Sequence, residues 1–104
     1  MFIEALDQQP EPRVDHKKTR FTQTQGQYLV FIHTYVLLNR QAPAEADFQR
    51  FFGVTAPSVH QMIIQLERLG FIRRIPRQAR SIELLVARAE LPELQPITSP
   101  VARY

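Results

Sequence analysis

GVTAPSVHQMIIQLERLGFIRRIPRQARSIE, residues 53–83, decides the fold. A Thr-Ala-Pro turn leads into a run where Val59, Met62, Ile63, Leu66 and Leu69 recur at three- and four-residue intervals. That spacing predicts one buried helix face. Pro57 suits the first helical position, where its missing amide costs nothing. Gly70 stops the run, because glycine enters left-handed backbone without steric cost. Two brief apolar runs follow, 71–75 and 81–85, with Pro76 to Arg80 between them. They predict a β-hairpin.

Working upstream, Gly53 marks the end of another helix over 45–52. Glu45 and Asp47 lie in its first turn, where the helix dipole favours acids, and Phe48, Phe51 and Phe52 face inward. Residues 42–44, centred on Pro43, read as an extended link and a candidate first strand of a small sheet. A longer helix precedes it. Thr22 and Gln25 have the spacing of a capping box, and Tyr28, Leu29, Ile32, Tyr35 and Val36 form its stripe, which fades near Asn39. The expected fold is mainly α with a small β-hairpin (α+β): a winged helix-turn-helix, with a three-helix core plus a wing, over residues 21–86. Residues 1–20, with Pro10 and Pro12, read as a flexible arm, and residues 87–104 as a tail or linker.

Composition bounds the chemistry. The chain has 104 residues, 44% of them hydrophobic, which is enough for one compact domain. Cysteine is absent, so disulfides, zinc ribbons and thiol nucleophiles are excluded, and a reducing cytoplasm is the expected compartment. No apolar run reaches membrane-spanning length, and MFIEALDQQPEPR lacks the basic-then-apolar order of a secretory signal. His16, His33 and His60 have no metal-ligand spacing. Ser58, Ser81 and Ser99 have no base in a recognisable motif, and there is no glycine-rich phosphate loop. No enzyme, metal, cofactor or small-molecule substrate is therefore expected.

The net charge of +3 is unevenly placed: Arg68, Arg73, Arg74, Arg77 and Arg80 occur in one stretch without an acid. On the helix over 57–69, Ser58, His60, Gln61, Ile64, Gln65 and Arg68 turn away from the apolar face. A helix laid in a major groove meets bases with its N-terminal residues, which singles out Thr55, Ser58, His60 and Gln61. Ile64 suits a thymine methyl. Arg77 and Arg80, at the loop tip, suit phosphates or a minor groove. Arg73 and Arg74 point to opposite faces of a strand, and Arg74 is taken as the one facing the ligand. Lys17, Lys18 and Arg20 would add phosphate contacts. These features point to double-stranded DNA, bound by a two-fold homodimer, since one module reads few base pairs. The bland account is a solvated helix face and a hairpin edge kept soluble by arginine. Two alternatives share the fold: a module that docks on a partner protein, and a DNA binder in replication, partition or a mobile element.

These residues resemble the winged-helix DNA-binding domain of LexA-type repressors, over residues 21–85. FTQTQ is similar to the family's helix start, QAPAEADFQRFFGV to its proline link and second helix, APSVHQMIIQLERLGFIRR to its reading helix and first wing strand, and RSIEL to the return strand. MarR-like winged helices share the serine-valine start and leucine-glycine ending. The resemblance implies DNA contacts at Pro57, Ser58, His60, Gln61 and Gln65, and a role in transcription regulation. The sequence departs from the pattern at Gly26, where the family has a larger residue, and at Asn39-Arg40-Gln41, where a glycine is expected. The family's serine-lysine peptidase domain has no counterpart, so a stand-alone DNA-binding module is expected.

Overall fold

A computed structural model of the chain describes residues 20–95. The arm over 1–19, with Lys17 and Lys18, and the end of the tail over 96–104 lie outside the described residues. Helix α1 spans Gln23–Asn39, α2 Glu45–Phe52 and α3 Ala56–Arg68. Strands β1 (Ile72–Arg73) and β2 (Glu83–Leu84) pair antiparallel, with Ile72 opposite Leu84 and Arg73 opposite Glu83.

Helix α1 opens with both halves of its capping box. The Gln25 amide donates to Thr22 Oγ1 at 3.1 Å, and the Thr22 amide donates to Gln25 Oε1 at 2.8 Å. The helix closes at Arg40, whose φ of 60° is left-handed, at the place where a glycine is expected. Gly53 and Gly70 also take positive φ, at the ends of α2 and α3. Helix α3 is capped by Thr55 Oγ1 and begins at Ala56, which puts Pro57 at the second helical position.

Aromatic packing joins α1 to α2. Tyr28 stacks on Phe48 and Phe52 at 5.2 and 4.6 Å, and Phe31 meets Phe48, Phe51 and Phe52. Phe48, Leu29, Ile32, Val59, Ile63, Leu66 and Ile72 are fully buried, so one core spans the three helices and the hairpin. Such pairs add about 0.5–1.5 kcal/mol each beyond the area they bury.

Several expectations change. Residues 42–44 are not a strand, and the strands themselves are two residues each: the Leu85 amide still donates to the Phe71 carbonyl at 2.8 Å, but toward the loop the Ser81 hydroxyl takes up the Ile75 amide and carbonyl. Leu69 is 51% exposed instead of buried: it is the C-cap of α3, at the edge of the face formed by Val59, Ile63 and Leu66. Val36 is also exposed, one turn from the end of α1, beside an open cleft lined by Ala42 and the returning hairpin strand.

Residues 87–95, read as the start of a tail, run back over α1. A 3₁₀ turn forms over Arg88–Glu90, and Leu91 and Leu94 pack on the core. Gln27 Nε2 donates to the Glu93 carbonyl at 2.9 Å, and the Gln95 amide donates to Gln27 Oε1 at 2.7 Å. Arg20 bonds Glu90 at 2.6 Å and lies over the Phe71 ring. A Cβ on Gly26 would sit 3.1 Å from the Phe21 ring and 3.2 Å from Pro92 Cγ. The glycine inside α1 therefore admits two close neighbours, which accounts for the small residue there.

Candidate nucleic-acid interface

Helix α3 turns 100° per residue, which fixes which side chains share a direction. Val59, Ile63 and Leu66 are buried. On the opposite side Pro57, Ser58, Gln61, Ile64, Gln65 and Arg68, with Met62, line one shallow groove. Pro57, Ser58, Gln61, Gln65 and Arg68 are exposed and Ile64 is half-buried. The Thr55 hydroxyl accepts from the Ser58 amide at 3.3 Å and donates to Ser58 Oγ at 3.0 Å. That leaves the Ser58 proton available to an incoming acceptor.

Each edge of this face is tied to another element. On one edge, Gln65 Oε1 accepts from Gln25 Nε2 of α1 at 3.0 Å. On the other, His60 Nδ1 lies 3.2 Å from Glu45 Oε2 at the start of α2. Arg74 bridges that edge to the hairpin, with Nε on Glu67 Oε1 at 3.0 Å and Nη1 3.8 Å from Glu45 Oε2. Helix α3 is thus braced from both sides, and a braced helix meets a ligand without first ordering itself.

The arginines divide by partner. Arg73 pairs across the hairpin with Glu83 at 2.7 Å. Arg74, expected to face a ligand, is half-buried between Glu67 and Glu45, two acids outside the arginine-rich stretch. Arg80, expected at the loop tip, turns inward. Its backbone is left-handed at φ 56°, and its Nη1 donates to Asp47 Oδ2 at 3.1 Å, to the Tyr35 hydroxyl at 3.1 Å and to the Ala42 carbonyl at 3.2 Å. One side chain so joins the wing to α1, the link and α2. The physical cause is Asp47, only 7% exposed, a carboxylate that requires counter-charge. Arg68 and Arg77 make no ion pair with any described residue.

Burial opposes ionisation of Asp47, but the Ala44 amide, Arg80, the Tyr35 hydroxyl and Arg50 outweigh it and hold its pKa below the ordinary aspartate value. The Tyr35 hydrogen bond, helped by Asp47, raises Arg80 above its already high value. The pair is therefore charged throughout the neutral range.

Ser81 shapes the loop itself. Its hydroxyl accepts from the Ile75 amide at 2.9 Å and lies 2.9 and 3.2 Å from the Gln78 and Ile75 carbonyls. Together with Arg80 it holds the wing while leaving Arg77, also at positive φ, exposed. Of the groups that position this surface, Gln25, Tyr35, Glu45, Asp47 and Glu67 had no place among the expected site residues. Only the capping spacing of Gln25 and the first-turn placement of Glu45 and Asp47 mark them in the sequence.

Residues 18–81, more than half of the chain, match the family model described as the LexA DNA binding domain. The chain is 35% identical over 66 residues to the LexA repressor of Thermosipho melanesiensis, covering 64% of this chain and 33% of that protein. It is 38% identical over 55 residues to the LexA repressor of Magnetococcus marinus, covering 53% and 22%. With that of Zymomonas mobilis it shares 31% over 75 residues, covering 71% and 35%. The chain thus spans about a third or less of the length of these relatives.

Proposed function

Because the chain belongs to the LexA DNA-binding domain family, we propose that it binds double-stranded DNA and regulates transcription. In this proposal α3 lies in the major groove, with the wing on the backbone or in the minor groove. Thr55, Pro57, Ser58, His60, Gln61, Gln65 and Arg68 meet the duplex from α3, and Arg77 from the wing. Arg74 and Arg80 support the wing and do not contact phosphate. The carrying observation is the exposed groove along Pro57, Ser58, Gln61, Gln65 and Arg68, braced on both edges.

The chemistry fits the division of labour in such complexes. Cations on phosphates supply affinity, and side-chain amides and hydroxyls in the groove supply sequence preference. A single α3 spans few base pairs, so a homodimer on a two-fold site completes the proposal. The test is a fluorescence anisotropy titration of the protein with random duplex and with duplex selected from a random pool. Salt-sensitive binding, and selected sites in two half-sites about 10 base pairs apart or a multiple of that, are expected. No salt-sensitive binding at micromolar protein would sink the proposal and favour docking on a partner protein.

A further inference from the structure

Gln25, in the cap of α1, sets which end of Gln65 faces outward. Gln25 is 6% exposed, and its Oε1 accepts from the Thr22 backbone amide at 2.8 Å. A backbone N–H only donates, so the end of Gln25 that meets it has to be the oxygen. The other end, Nε2, points at α3 and lies 3.0 Å from the Gln65 side chain. An amide nitrogen also only donates, so the Gln65 atom opposite it has to be the oxygen. One backbone hydrogen thereby orients two side-chain amides in series. Gln65 keeps its oxygen turned toward α1 and its NH₂ toward solvent.

A glutamine that reads adenine bidentately uses both ends on one base edge, with the oxygen on the N6 amino group and the NH₂ on N7. Gln65 is not arranged for that. We propose, resting on the DNA-binding assignment above, that Gln65 is a donor-only contact of this interface. It recognises a hydrogen-bond acceptor of the duplex, either a base-edge carbonyl (guanine O6 or thymine O4) or a phosphate oxygen. Gln25 is its positioning residue, although it never meets the duplex.

Gln25→Glu tests this. Glutamate at the third helical position preserves the capping box, and an acid in the first turn is favourable, so the variant folds. Both carboxylate oxygens accept, so Gln65 has to turn its NH₂ inward and present its oxygen. Duplex titration and selection from a random DNA pool then separate the two acceptor sources. A base contact shifts preference at one base pair from guanine or thymine toward adenine or cytosine. A phosphate contact instead weakens all duplexes alike, by roughly two- to tenfold. Gln65→Leu, which has no donor, loses the same preference or affinity, and adding Gln25→Glu to it changes nothing further.

A readout without DNA accompanies these. NMR of the free wild-type protein shows a coupling through the hydrogen bond from Gln25 ¹⁵Nε2 to Gln65 ¹³Cδ, which Gln25→Glu abolishes. Wild-type binding with no such coupling overturns the orientation and leaves the DNA assignment standing. So does a Gln25→Glu variant with wild-type affinity and preference, or adenine preference that depends on Gln65. Coupling without duplex binding by the wild type overturns the contact together with the DNA assignment.

Discussion

Arg77→Ala and Arg80→Ala remove the same charge from the same loop, and the structure assigns them different outcomes. Arg77 is exposed and meets no described acid, so its guanidinium is available to a phosphate. Each phosphate contact contributes about 0.9 to the slope of log affinity against log salt. Losing one such contact lowers affinity by about 0.9 log units at 0.1 M salt, roughly eightfold, and by only about twofold near 0.5 M. Arg80 is held by Asp47, Tyr35 and the Ala42 carbonyl. Its loss loosens the wing, whose loop Ser81 still holds, without removing a phosphate contact, so affinity falls with the slope unchanged. Anisotropy titrations of wild type and both variants against one duplex, from 50 to 500 mM salt, separate the two. If Arg80→Ala flattens the slope by a full unit per protomer, or Arg77→Ala leaves it untouched, the assignment of these arginines is wrong.

Other outcomes follow from particular contacts. Asp47→Asn is expected to destabilise by about 1–2 kcal/mol at neutral pH, since it strips charge from hydrogen bonds to Arg80 and Arg50. Because the folded Asp47 pKa is depressed, its stabilisation is complete above the ordinary aspartate value and disappears as pH falls through the lower folded value. Urea unfolding across an acid pH series should show a shallower acid limb for Asp47→Asn, and an unaltered limb would refute this. Arg40→Gly relieves a left-handed non-glycine at the end of α1 and should raise stability by about 0.5–1 kcal/mol, read as an increase in Tm. Gly26→Val should lift Pro92 from α1 at a cost of about 1–3 kcal/mol, with faster hydrogen exchange at the Gln95 amide. Unchanged protection of that amide would show that the segment is held elsewhere.

The features legible in the sequence are those made by near neighbours. Thr22 and Gln25 are three residues apart, and Gly53 and Gly70 each follow the helix they stop, so local pattern locates all three helices. Phe48 and Ile63 announce their burial through periodicity. The supports of the interface were illegible because their partners are distant in sequence. Arg80 meets Asp47 33 residues away, and Gln25 meets Gln65 40 residues away. An arginine-rich stretch without acids looks uniformly available until Glu45, Glu67 and Asp47 arrive from other elements. Residues 87–95 escaped for another reason. Their bonds to Gln27 run through backbone groups, which impose no periodicity on side chains, and two apolar contacts, Leu91 and Leu94, are too few to make a pattern.

The doubling back of residues 87–95 has a mechanical consequence. Nine residues in open conformation would give a following segment roughly 30 Å of additional reach. Fastened along α1, they contribute no slack, and the junction at Gln95 is tied to Gln27 near the start of the first helix. Pulling on that junction would load Gln27 and the packing around Gly26 before it disturbed the wing.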